Sequence, residues 1–139
     1  MMRIGFLPSD FNPMVLMLGE AEDFRALAGV LRQFTRTAEP VRLDQLAFCR
    51  NGGTPVTLKA ADGRLGVHRA PEDGNAFLWW LTPVEAEAFA ALADRLADPQ
   101  RVAGSEMLEC SISEEIPVKL SRGEYTEDFL CHEPDTAQA

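Results

Sequence analysis

Two segments of helical periodicity, residues 21–36 and 82–96, constrain the fold of this 139-residue sequence more than any other feature. In the first segment, apolar residues recur every three or four positions and make one continuous face. In the second, Thr82 and Glu85 form a capping box, and Pro83 occupies the favoured first position, so together they mark where the helix begins. Neither helix can bury its apolar face alone, so the remaining apolar runs must supply partners for both.

Those runs are short and bounded by turn signals, which is typical of strands. An Asp62-Gly63 turn predicts that residues 55–59 and 65–69 pair as a hairpin. The pattern therefore predicts an α+β fold with a mostly antiparallel sheet of six to eight strands and two helices packed on one face. The predicted strands are residues 2–7, 14–18, 43–49, 55–59, 65–69, 76–81, 107–112 and 117–120.

The sequence also suggests an internal duplication of a strand-helix-strand-strand unit. Residues 16–31 align with residues 81–96 at an offset of 65, with nine identities in sixteen positions. Downstream, the Pro-Val-x-Leu run that begins at Pro55 recurs at Pro117, at an offset of 62. The alternative is convergence, because Ala, Leu and Glu are common in any amphipathic helix.

Length and composition predict one domain over residues 1–130, followed by a flexible acidic tail over residues 131–139. No apolar run approaches the ~20 residues that a membrane-spanning helix needs. The three cysteines, at positions 49, 110 and 131, are odd in number and form no Cys-x-x-Cys pair, which favours a reducing compartment. We therefore expect a small cytoplasmic protein of bacterial type that does not enter a membrane.

The net charge of −9 is unevenly distributed along the chain. Residues 1–105 carry 13 acids and 11 bases, whereas residues 106–139 carry nine acids and two bases. Nucleic-acid binding requires a basic surface, so we expect no nucleic-acid partner. The acidic C-terminal quarter instead favours a basic protein partner, and the protein would then act as an inhibitor or immunity-like antidote.

The candidate partner-binding residues combine this acidity with aromatic side chains. Adjacent strand residues point to opposite faces, so one of the two neighbouring tryptophans is expected in the core and the other at a cover or interface. An exposed tryptophan would also suit a homodimer interface. The candidates are Glu114, Glu115, Glu124, Tyr125, Glu127, Asp128, Phe129, Trp79 and Trp80.

The two predicted helices carry opposite charges at the same spacing. Arg25, Arg32 and Arg36 occur at i, i+7 and i+11 on the first helix. Glu87, Asp94 and Asp98 follow the same spacing on the second. These side chains either form two solvated faces or offer opposite charge to each other or to partners.

Catalytic groups are scarce, so we expect no metal site and no cofactor, and the sequence leans away from an enzyme. Histidine is the usual general base or metal ligand, and only His68 and His132 are present. The alternative hypothesis is a small metal-dependent or acid/base enzyme of duplicated-module architecture that uses His68. A third hypothesis is a reactive Cys49, activated as a nucleophile by the adjacent Arg50.

Overall fold

Each helix begins after a strand and ends in a defined cap. In the computed structural model, which describes residues 1–8, 13–101 and 103–123, α1 spans Ala21–Thr37 and α2 spans Pro83–Leu96. The Glu85 N–H donates to Thr82 Oγ1 at 3.1 Å, as the capping box predicts. The Glu20 N–H donates to Asp23 Oδ2 at 2.9 Å, which gives α1 a comparable start.

Eight strands complete the described part of the chain, so the predicted α+β fold is confirmed. They form two mixed four-stranded sheets, ordered β1-β2-β8-β7 and β3-β4-β6-β5. Four of the six strand pairs are antiparallel, while β2–β8 and β4–β6 are parallel. The strands are β1 Arg3–Leu7, β2 Met14–Leu18, β3 Val41–Arg42, β4 Val56–Ala60, β5 Gly66–Ala70, β6 Asp73–Leu81, β7 Gly104–Leu108 and β8 Val118–Arg122.

Two predictions about local structure were wrong. The segments 55–59 and 65–69 do not pair with each other, because both flank β6: β4 lies parallel to it and β5 antiparallel. The hairpin turn therefore lies between β5 and β6, and β6 begins at Asp73, three residues before the predicted strand 76–81. The β4–β6 pairing places Val56 and Leu58 of β4 beside Phe77 and Trp79 of β6, and all four side chains are buried in the core.

The predicted strand 43–49 is instead a short 3-10 helix, Leu43–Gln45, followed by a turn. Asp44 explains the change, because its nearly buried carboxylate holds the chain in a bend. Arg42 donates two hydrogen bonds to it, at 2.8 and 2.7 Å, and the Val56 N–H donates a third at 3.3 Å. The bend thus joins β3 to the start of β4.

The Asp44 carboxylate should make stability depend on pH in acid. Burial opposes its ionisation, but the hydrogen bonds from Arg42 and Val56 outweigh burial and hold the pKa of Asp44 below its usual value. A lowered folded-state pKa stabilises the protein above the unfolded-state pKa, and this contribution is lost as the pH falls. We expect Asp44→Ala to cost about 1.5–3 kcal/mol at pH 7. Denaturant titrations should show that difference shrinking below about pH 4, and an unchanged difference at pH 3 would contradict this assignment.

The chain order repeats: β1-β2-α1-β3-β4 is followed by β5-β6-α2-β7-β8. Each sheet contains one hairpin from each half, joined by a parallel pair. The two parallel pairs also share their register, because the Val15 N–H donates to the Pro117 carbonyl at 3.0 Å and the Phe77 N–H donates to the Pro55 carbonyl at 2.9 Å. The Pro-Val-x-Leu runs therefore occupy equivalent places in the two halves.

The offset of 65 that we used for the helices is wrong. Both parallel pairs and both helix starts correspond at 62 residues. At that offset, five buried positions of α1 match five of α2, while at 65 Leu27 would match the half-buried Leu92. A three-residue slip is nearly one helical turn, so it preserves the amphipathic pattern and misled the alignment. The matching positions are 24, 27, 28, 31 and 34 with 86, 89, 90, 93 and 96.

One hydrophobic core receives side chains from both sheets and both helices. A smaller cluster, Leu16 and Leu18 with Leu7, lies on the opposite face of the first sheet. The helices pack against each other, and Arg32 joins them by ion pairs of 3.0 Å to Glu87 and 2.7 Å to Asp94. The opposite charges on the two helices are thus directed at each other here, as one of the two alternatives predicted. No helix among the described residues is long and apolar enough to cross a membrane.

Candidate partner-binding surfaces

The two candidate glutamates between β7 and β8 have different environments. Glu114 is exposed and adopts a positive φ of 65°. Glu115 is half-buried and turns inward, where its carboxylate accepts the Cys110 N–H at 2.7 Å and the Ile112 N–H at 3.4 Å. Glu114 can therefore meet a partner, while Glu115 closes the loop that precedes β8.

Glu115 also contacts Gly66, the first residue of β5. A Cβ placed on Gly66 would lie 2.5 Å from Glu115 Oε2 and 2.7 Å from its Cγ. The Ile116 N–H, one residue further on, donates to the Val67 carbonyl at 3.0 Å. The β7–β8 connection is thus anchored to the edge of the second sheet.

The remaining acidic and aromatic candidates, Glu124, Tyr125, Glu127, Asp128 and Phe129, lie outside the described residues, as does the predicted tail 131–139. Three of them, Glu124, Glu127 and Asp128, add to the acidity of the C-terminal quarter. Within residues 106–123, the carboxylate of Glu106 is engaged by Arg95 at 3.3 Å and Arg101 at 3.5 Å. Glu109 and Glu114 are exposed.

The tryptophans divide as the strand alternation predicts. Trp79 is fully buried and its ring stacks on Phe89, with centroids 6.0 Å apart. It therefore has no surface with which to meet a partner. Trp80 points to the outer face of the second sheet, but only 7% of it is exposed.

Two cations cover Trp80. Lys59 Nζ lies 5.4 Å from the Trp80 ring centroid, and Arg64 Cζ lies 5.0 Å from it. Each cation on an aromatic face is worth about 0.5–1 kcal/mol at an exposed site. The outer face of the second sheet is thus basic and aromatic, a combination that the sequence alone does not predict because it depends on which residues neighbour Trp80 in the folded sheet.

His68 is half-buried on β5, where it lies opposite Leu78. Its Nε2 lies 2.8 Å from the Leu65 carbonyl oxygen, so one ring nitrogen is engaged by the local backbone. Within residues 1–8, 13–101 and 103–123, no group of three or more His, Cys, Asp or Glu side chains is placed to hold a metal ion. His132 lies outside the described residues.

The two described cysteines have raised pKa values. Burial raises the pKa of Cys49 to about 11, and the negative charges of Asp23 and Asp44 add to the shift. Burial raises the pKa of Cys110 to about 12, reinforced by Glu115 and Glu85. The reactive form of cysteine is the thiolate, so both side chains are poor nucleophiles near neutral pH.

No family model, curated protein or solved structure matches this chain.

Proposed function

We propose that this chain is a non-catalytic protein-binding domain that recognises a basic partner, in the manner of an inhibitor or immunity protein. The observation that carries the proposal is the position of its charge: nine of the 22 acids and only two of the 13 bases fall within residues 106–139. Opposite charge on a partner accelerates association and selects that partner over others.

The contacts of the described carboxylates in residues 106–123 indicate which of them can belong to the binding surface. Glu106 and Glu115 are engaged within the domain, so Glu109 and Glu114 are the described members that remain available. Five further acids follow within residues 124–139, where no Lys or Arg occurs. The proposed binding surface therefore consists of Glu109, Glu114 and the acidic residues after Gly123.

This proposal is tested by neutralising the surface without changing the size of its side chains. A five-site variant, tagged and used to capture partners from the native cell, should retain at least about tenfold less of a basic partner than the wild type at low salt. High salt should release that partner from the wild type because it screens exposed charge. The five changes are Glu109→Gln, Glu114→Gln, Glu124→Gln, Glu127→Gln and Asp128→Asn.

A charge-matched control separates local recognition from net charge. The control neutralises five exposed acids elsewhere and should retain the partner, because its net charge equals that of the test variant while its C-terminal quarter is intact. Equal loss from both variants would show that net charge alone governs capture and would overturn the proposed surface. The control changes are Glu22→Gln, Glu39→Gln, Asp62→Asn, Glu72→Gln and Asp73→Asn.

A further inference from the structure

A cavity of about 340 Å³ opens where the two sheets meet, at the end of β1 and the start of β6. Its volume falls within the range of small-molecule sites, about 300–1,000 Å³. Phe6 from the first sheet and Phe77 from the second form an apolar wall, with ring centroids 4.8 Å apart. The turn that leads into β4 also lines the cavity, through Gly52, Gly53 and Thr54.

The repeat explains why the cavity forms on this side. The Thr54 N–H donates to the Ile4 carbonyl at 2.9 Å, just as the Ile116 N–H donates to the Val67 carbonyl at 3.0 Å. Thr54 therefore corresponds to Ile116, and the two preceding glycines correspond to Glu114 and Glu115. Glu115 and Ile116 are half-buried and buried, so their smaller counterparts Gly53 and Thr54 leave space in the first half that is filled in the second.

Arg69 supplies the only formal charge among the described residues that line the cavity. Its guanidinium carbon lies 4.8 Å from the Phe6 centroid and 5.5 Å from the Phe77 centroid. Nη1 donates to the Gly74 carbonyl at 2.6 Å, which fixes the plane of the group. A guanidinium stacked on aromatic rings keeps its N–H edge available for a planar anion.

We propose that this cavity binds a small organic carboxylate. The carboxylate pairs with the remaining N–H groups of Arg69, since arginine recognises carboxylates through two parallel hydrogen bonds. The apolar body of the ligand lies against Phe6 and Phe77. This site is independent of the acidic surface proposed above, because it has the opposite charge and lies on different residues.

Phenylacetate is a suitable probe, with phenylacetamide as its uncharged counterpart and acetate as the carboxylate without an apolar body. In ¹⁵N-edited NMR titrations of the full chain, phenylacetate should shift the amides of Phe6, Gly53, Thr54 and Phe77 saturably in the millimolar range. Phenylacetamide and acetate should each bind at least about tenfold more weakly, because each lacks one of the two contacts.

Arg69→Gln tests the cation, and Arg64→Gln is its control. Both replace an arginine that lies on an aromatic ring, but Arg64 contacts Trp80, outside the cavity. Arg69→Gln should weaken phenylacetate at least about tenfold, while Arg64→Gln should leave its affinity unchanged. Equal affinity in Arg69→Gln and the wild type, equal binding of phenylacetamide, or no saturable shift at the cavity would each overturn the proposal.

Discussion

Replacement of Trp79 by alanine is expected to destabilise the fold by about 3–5 kcal/mol, which is the range for removing a buried tryptophan. The indole is fully buried, lies opposite Leu58 and Val67 in the sheet and stacks on Phe89 of α2. It thus connects the second sheet to a helix. A domain of this size is stable by only about 5–15 kcal/mol, so the loss is a large fraction of the total. Denaturant titration followed by circular dichroism measures it.

Trp80→Ala is the matched control, because the same side chain is removed one residue away. Trp80 is covered by the flexible cations Lys59 and Arg64 rather than by the core, and water can enter the space that it leaves. We expect a cost of less than half that of Trp79→Ala. Equal costs would contradict the assignment of Trp79 to the core and Trp80 to the outer face.

Trp79→Phe keeps the experiment informative if the alanine variant does not fold. Trp79 Nε1 is buried without a hydrogen-bond partner among the described residues, and an unpaired buried N–H costs about 1–3 kcal/mol. Phenylalanine removes that N–H while keeping an aromatic ring against Phe89. The smaller ring loses some buried contact, but removal of the unpaired N–H partly offsets that loss. The cost of Trp79→Phe should therefore be well below that of Trp79→Ala.

Local patterns in the sequence located the helices and most strands. Periodicity placed α1 within one residue of its observed end, and the capping residues placed the start of α2. Both signals depend on residues close together in the chain. Strand pairing does not, which is why the Asp62-Gly63 turn suggested a β4–β5 hairpin while β6 lies between those strands. The bend at Asp44 was missed for the same reason, because the Asp44 carboxylate accepts a hydrogen bond from the Val56 N–H, twelve residues away.

The candidate sites also divide into features that the sequence alone reveals and features that depend on strand pairing. Charge counting identified the acidic quarter, since it needs no knowledge of pairing. Charge counting could not separate Glu114 from Glu115. Glu115 turns inward into space that is open only because Gly66, on β5, has no side chain. Arg69 was not singled out at all: its contact with Phe6 joins two sheets, and only the strand order brings those residues together.

Gly66→Ala is expected to destabilise the protein by about 2–5 kcal/mol, through two separate effects. Gly66 has a φ of +83°, and a residue with a side chain in that left-handed region costs about 1–2 kcal/mol. The new methyl group would also overlap the Glu115 side chain, and overpacking of this kind costs typically about 1–3 kcal/mol. Gly52→Ala isolates the first effect, because Gly52 has a φ of +86° and open space around its Cβ position.

The double variant Gly66→Ala/Glu115→Ala distinguishes the overlap from the backbone cost. Glu115→Ala alone loses the hydrogen bonds to the Cys110 and Ile112 N–H groups, so it should destabilise the protein. Combined with Gly66→Ala it also removes the atoms that the methyl group would meet, so the double variant should be more stable than the sum of the single effects predicts. A coupling of about 0.5–3 kcal/mol is expected for residues in contact. Strict additivity would mean that the overlap is absent, and that Glu115 does not anchor the β7–β8 connection to β5.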